Sequence, residues 1–515
     1  MATVTLHRDL FRPPVNRITR QVRVVKRLLA AVLVLIVLAG AGFVTMTALR
    51  WCGWHSGSTR LDGECVGLSD GSFTFDNPGL GAVGQLIKAE NDRVAALPGS
   101  HYVKVALLSP LGPDTTGPMS TDNIVHAVEG AYLAQIHANH SQYYGTVPTD
   151  GDPYPQVQLI LANEGNHEAH WPTVVHDIEG QVTGDHPIVG VVGLGVSWPE
   201  TQSAVSELSA HRIPMVSATL SADDFTYQAY RGLVNVSPSN SDYVNAVAGY
   251  FAHQPGVKKA ILMYDTNADL YTGTLRTDFE AAFAAKLGDS RAQPFTGSGR
   301  SGKTALFGSP VQNICAEHPD LVLFAGRPGD LKAFVEYLAG RTCSDLPHIV
   351  VVAGATGLSS NSLSAEARAK GVSMVFATSE DTEGWAASAA SAPAGYATFL
   401  AGFEDTFGHE TPASLTDGYV VMHYDSMLSM VYAARMSVPS DKLASATIDT
   451  SQVFDVMVGL TDAHHVVGAT GTLQISDANG GRAVDKLVPV MRAGPDTGGQ
   501  GVLVDSFKTP VTRSR

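Results

Sequence analysis

The residues best suited to chemistry in this chain of 515 are short polar and aromatic groups that follow apolar runs. After IVGVVGL come Gly195-Val196-Ser197-Trp198-Pro199-Glu200-Thr201 and a helical segment. Ser197, Trp198 and the amides opening that helix can receive a carboxylate or another acceptor-rich group. A plain helix cap by Ser197 or Thr201 accounts for the same residues. After IPMVSAT, hydroxyls at Ser217, Thr219 and Ser221 recur at a spacing of two, on one side of an extended chain, with a bland turn as the alternative. Tyr271 ends the loop after KKAILMYD, where buried packing is the alternative to a binding role. Arg327 follows DLVLFAG and can pair with an anion, against the ordinary reading of a solvated surface charge. HIVVVAG is followed by Gly354-Ala355-Thr356-Gly357. These groups offer reversible recognition of a small polar solute.

Other chemistries find less in the sequence. His167, Glu168, His170 and His176 crowd into NEGNHEAHWPTVVHD, but their spacing is not H-E-x-x-H, and His464 and His465 read as loop residues, so no metal is expected. Gly190, Gly193 and Gly195 do not form G-x-G-x-x-G and no strand opens into a Walker loop, so no nucleotide or other cofactor is expected. Neither a G-x-S-x-G elbow nor a Ser-His-Asp set is visible, so no catalytic residue is assigned and the chain is not expected to be an enzyme. The formal charge of −15 repels phosphate backbones, which argues against nucleic acid as a partner.

The elements that must position the binding groups are legible as a pattern. From Tyr102 onward, short apolar runs alternate with turns and helical segments, the signature of parallel sheet built from βαβ units. The runs are VKVALLS, VQLILAN, IVGVVGL, IPMVSAT, KKAILMYD, DLVLFAG, HIVVVAG and GVSMVFAT. They are more than one compact sheet needs, and cores stop growing at about 250–300 residues, so two cores are expected. Helical segments from Val128, Thr201, Ser241 and Thr274 lie between them, and those from Gly395 and Thr416 come after the second set of strands, as though the chain returns to its first lobe.

Ahead of this body, Arg8, Arg12, Arg17, Arg20, Arg23, Lys26 and Arg27 are opposed by Asp9 alone, and residues 28–49 carry no charge. That run has spanning length, and the positive-inside rule keeps the tail, residues 1–27, cytoplasmic and exports the remainder. A cleaved signal peptide ending at Ala39-Gly40-Ala41 is the rival. Residues 50–100 read as a juxtamembrane collar. The cysteines form two local pairs, Cys52 with Cys65 and Cys315 with Cys343, and an exported compartment permits both to be disulfides.

Several stretches in sequence carry a family resemblance. VKVALLSPLG followed by EGAYLAQIHAN resembles the first strand and helix of type I periplasmic binding proteins. VVGLGVSWPETQSAVSEL leading into HRIPMVSATLSADDF is similar to their ligand loop and the strand after it, and AILMYDTNADLYTGTLRTDFEAAF to the opening of their second lobe. GATGTLQISDANGGRAVDKLVPVMR resembles their closing strands. More narrowly, the chain resembles actinobacterial, membrane-anchored members of the leucine/branched-chain amino acid type.

The resemblance implies an α/β fold of two doubly wound parallel-sheet lobes joined by three hinge crossovers, preceded by a single transmembrane helix. Lobe one takes 101–236 and 380–437, and lobe two 237–379 and 438–510. It implies ligand contacts from Thr219, Ser221 and a closing Tyr271. It also implies an acidic residue for the ligand's ammonium where this chain has Thr356, so either another carboxylate such as Asp381 takes that role or the ligand is not an α-amino acid. The expected function is an extracellular solute-binding receptor for an ABC-type uptake system, closing on an amino acid, amide or related metabolite and working with a permease. The alternatives are a sensory ectodomain signalling through a membrane partner and a scaffold without ligand.

Overall fold

The computed structural model describes residues 24–37, 52, 57–97, 102–113, 117, 119–140, 154–267, 269–299, 305–355, 358, 363–408, 412–439 and 447–511. Two seven-stranded sheets organise them. In spatial order the first holds β1 (Gly57–Leu61), β2 (Glu64–Ser69), β4 (Gln156–Asn163), β3 (Tyr102–Ser109), β5 (Ile188–Gly193), β6 (Met215–Ser217) and β7 (Leu233–Asn235). The second holds β16 (Val502–Lys508), β15 (Leu487–Ala493), β12 (Val372–Ala377), β11 (Ile349–Gly354), β10 (Leu321–Ala325), β8 (Ala260–Asp265) and β9 (Gln293–Phe295). A short hairpin, β13 (Val466–Gly468) with β14 (Gly471–Leu473), stands apart.

All eight apolar runs are strands of these sheets, and those from β3 to β7 and β8 to β12 pair in parallel. Their side chains are buried on both faces, which is why they read as continuous apolar runs instead of alternating ones. Both parallel sets are doubly wound, with the first strand between the second and third, so each lobe has a switch point where the winding reverses: β3/β5 in lobe one and β8/β10 in lobe two.

Helix Tyr419–Met436 is nearly all buried, because it passes between β5 and helix Thr121–Asn139. The two helices touch closely at Gly130, where a methyl group would strike the carbonyl of Val420. Helix starts are set by local chemistry: Ser120 and Ser239 each form a capping box, the latter opening helix Asn240–Ala252 directly after the chain leaves lobe one.

Three differences from the sequence reading stand out. Residues 57–69 of the expected collar are a hairpin on the edge of the first sheet, β2 pairing antiparallel with β4, and helix Gly81–Ala96 belongs to the same core. The final passage to lobe two comes after Ala483, not after Ser437, since Val453, Val466, Leu473 and Ile475 pack in the first core and only β15 and β16 join the second sheet. The transmembrane helix expected over 28–49 gains no support: the described helix covers 24–37, its side chains are exposed, and among the described residues no helix is long and apolar enough to cross a membrane. Residues 38–49 lie outside the described set.

Both disulfides form, Cys52–Cys65 and Cys315–Cys343, each with Cα atoms 5.5 Å apart. The second joins helix Gly308–Glu317 to the segment after helix Pro328–Ala339, at the amino-terminal edge of the second sheet.

Candidate functional site

The carboxyl ends of both parallel sheets face each other, and the two switch points supply the residues that meet. Lobe one offers the loop Leu194–Trp198 after β5; lobe two offers Tyr271, in the first turn of the helix that follows β8, and Arg327 after β10. Arg327 is 9% exposed, not a solvated surface charge. Its Nη2 donates across the cleft to the Ser197 carbonyl at 3.1 Å, and its Nε donates to Asp269 Oδ2 at 3.2 Å. The guanidinium lies 5.4 Å from the Trp198 ring centre and 5.3 Å from that of Tyr271, so it sits between one aromatic face from each lobe. Such contacts are worth about 0.5–2 kcal/mol each and grow as water is excluded.

Local structure explains this placement. Asp269 caps helix Leu270–Ala282, Oδ1 accepting from Thr272 N at 2.8 Å, which leaves Oδ2 for Arg327. Trp198 is the N-cap residue of helix Pro199–Ala210, held extended before Pro199, and no side chain caps that helix. Ser197 and Thr201 therefore do not cap it. The Ser197 hydroxyl accepts from Ala222 N at 3.3 Å, and the Thr201 hydroxyl donates to Glu168 and to the Val196 carbonyl.

The hydroxyl stretch is drawn into the same loop. Thr219 donates to the Gly195 carbonyl at 2.6 Å, and Ser217 Oγ accepts from Leu220 N at 2.9 Å. Ser221 is 3% exposed, its carbonyl accepts from Asn240 N, and its hydroxyl makes no hydrogen bond among the described residues. Tyr271 donates to the Gly354 carbonyl at 3.3 Å, and burial raises its phenol pKa. Asp381 caps helix Thr382–Ala387 through Gly384 N. Thr356 lies outside the described residues.

Sequence reasoning missed a buried carboxyl pair beneath this loop. After β4 the chain turns through left-handed backbone at Gly165, His167 and Glu168, and this folds Glu168 under Gly195. Glu168 accepts from Val196 N at 3.0 Å and from the Thr201 hydroxyl, while the His167 ring stacks on Trp198 with centres 5.4 Å apart. Desolvation pushes the Glu168 pKa up to about 7, opposed by Thr201, Val196 and Arg327; burial and the neighbouring Glu168 raise Glu164 well above its ordinary value. Like charges at one buried site cannot both ionise cheaply, so the pair retains proton near neutrality.

A second buried set lies where the lobes join. Lys486, on the third crossover, donates from Nζ to the Val236 carbonyl on the first, and Glu380 on the second crossover and Asp425 of helix Tyr419–Met436 bear on it electrostatically. Desolvation lowers its pKa to about 8. Arg482 adds hydrogen bonds to the carbonyls of Leu220, Ala222 and Ser237. This arrangement fixes the hinge and leaves the cleft to the switch-point residues.

Two doubly wound lobes, three crossovers and polar and aromatic groups at facing switch points define the class of bilobed α/β binding proteins. The sequence profile of the periplasmic binding protein family matches residues 190–493, and the chain belongs to that family. Its fold is similar to that of the branched-chain amino acid transporter substrate-binding protein LivJ of Streptococcus pneumoniae, solved with isoleucine (16% identity, TM-score 0.58, covering 79% of this chain and 99% of LivJ). It is equally similar to the leucine-binding protein LivK of Thermotoga maritima (16%, 0.57, 79% and 99%). An ABC transporter solute-binding protein of Rhodopseudomonas palustris, solved with 3,4-dihydroxybenzoic acid, follows at 14%, 0.54, 80% and 99%. No curated protein matches the sequence.

Proposed function

We propose that this chain is an extracellular solute-binding receptor that closes its lobes on a small polar solute and delivers it to an ABC-type permease. The observation that carries this reading is the cross-cleft contact of Arg327 with Ser197 and Trp198. A group from each switch point meets the other over a site where backbone amides, hydroxyls and one cation converge. A bound solute stabilises the closed arrangement by the difference of its contacts in the two states. The uncharged run 28–49 behind its basic tail supports a single-pass attachment to the cell membrane with the lobes outside.

Thermal denaturation of the protein from about Gly53, against amino acids, amides and aliphatic and aromatic organic acids, tests the binding claim. At least one class raises the midpoint by mass action, and mass spectrometry of the purified protein identifies any solute carried with it. A panel with no shift and no carried solute overturns the reading. Recovery of the full chain in the soluble fraction, shortened to begin near Gly42, overturns the attachment.

A further inference from the structure

We propose that the carboxyl-terminal ends of helices Trp171–Glu179 and Pro199–Ala210 form a zinc-type divalent metal site, with Glu179, Glu207 and His211 as ligands. The site is independent of the solute cleft. Helix Pro199–Ala210 starts at the cleft, and its 12 residues carry the chain about 18 Å away before His211.

Each helix contributes a pair on one face, His176 and Glu179 at i, i+3 and Glu207 with His211 at i, i+4, the spacings at which side chains on a helix become neighbours. The two helices pack together, so the pairs converge. His211 Nδ1 lies 3.0 Å from Glu179 Oε1 and 3.6 Å from Glu207 Oε1, and one ligand atom of each of these three residues lies within 4.8 Å of the others. His176 Nδ1 lies 3.7 Å from the other oxygen of Glu179. Ligands about 2.0–2.2 Å from a tetrahedral zinc stand roughly 3.3–3.6 Å apart, so the three clustered ligand atoms fit one side of a metal, with water to complete the set.

The electrostatics favour a cation. Among the described residues neither carboxylate is paired with a lysine or arginine; the adjacent Arg212 turns away to Asp455 at 2.7 Å and to the ring of Phe454. Both helices also direct the negative end of their dipole here. Imidazole with carboxylate suits zinc and its transition-metal neighbours more than magnesium or calcium. His211 Nδ1 also lies 3.1 Å from the Glu207 carbonyl, a contact that the bound metal replaces as it ties two helix ends of lobe one together.

The test is isothermal titration of the untagged, chelator-stripped full-length chain in detergent with zinc chloride. We expect one zinc per chain and a rise in thermal midpoint on loading. His211→Ala and Glu207→Gln each weaken binding about tenfold or more. Circular dichroism identical to the parent's excludes misfolding. Should His211→Ala fail that control, the exposed Glu207→Gln carries the test alone. Absence of saturable binding, or affinity unchanged in the folded variants, overturns the proposal and leaves the cluster as histidine–carboxylate ion pairs.

Discussion

Arg327 and Lys486 are both buried cations placed where the lobes meet, and they join them by opposite means. Arg327 reaches lobe one through one carbonyl and one aromatic face, while its charge partner Asp269 belongs to its own lobe. Rotation of the lobes breaks that contact without leaving a charge unpaired. Lys486 is only 2% exposed and is bonded to another crossover, with Asp425 as its main counter-charge and Glu380, whose carboxyl burial holds well above its ordinary range, beyond it. No rotation relieves it. The cleft cation is thus suited to making and breaking contact, and the hinge cation to holding through the motion.

The largest expected effect separates these roles. Lys486→Met leaves Asp425 buried without its cation and the Val236 carbonyl without its donor, and should cost on the order of 3–5 kcal/mol in chemical denaturation. A loss similar to that of Arg327→Ala would erase the distinction. Next comes the carboxyl pair under the cleft loop. Glu168 titrates near 7 when folded against an ordinary 4.5, so the folded state holds the extra proton between those values. Its stabilising contribution is present below about pH 4.5 and is lost as pH rises through 7. Glu164→Gln should flatten that decline by on the order of 1–3 kcal/mol, read from urea denaturation at pH 5, 6.5 and 8. An unchanged slope would remove the pair from the cleft's energetics.

Arg327→Ala should cost about 1–2 kcal/mol in unliganded stability, because it leaves the buried Asp269 with only its hydrogen bonds from Thr272. It should shift small-angle scattering toward a larger radius of gyration, and an unaltered scattering curve would show that Arg327 does not bridge the lobes in solution. Smallest is Ser221→Ala, within about 0.5 kcal/mol without solute, since the hydroxyl makes no hydrogen bond among the described residues. Its effect should appear as weakened binding of whichever solute raises the thermal midpoint, and lost stability with unchanged binding would make it structural.

Much of the fold was legible because burial on both faces writes parallel strands as apolar runs. The positions of Ser197, Trp198, Tyr271 and Arg327 after three of those runs placed them at the switch points. The β1–β2 hairpin was hidden by its polar outer face, although Asp62-Gly63, with φ of 48° and 90°, is a two-residue turn signal between Leu61 and Glu64. Glu164 with Glu168, and Lys486 with Glu380, come together only through folding. Nothing local in NEGNHE or AVDKLV reports which distant loop will cover a carboxylate or an ammonium.

That hairpin has a mechanical consequence. Cys52 is bonded to Cys65 in β2, and β2 is zipped onto β4, so the chain entering the body is stitched to lobe one before the parallel strands begin. A pull on the amino-terminal segment is borne by the first sheet. With closure as proposed, lobe one is the stator, and lobe two, joined to it by three crossovers, is the rotor.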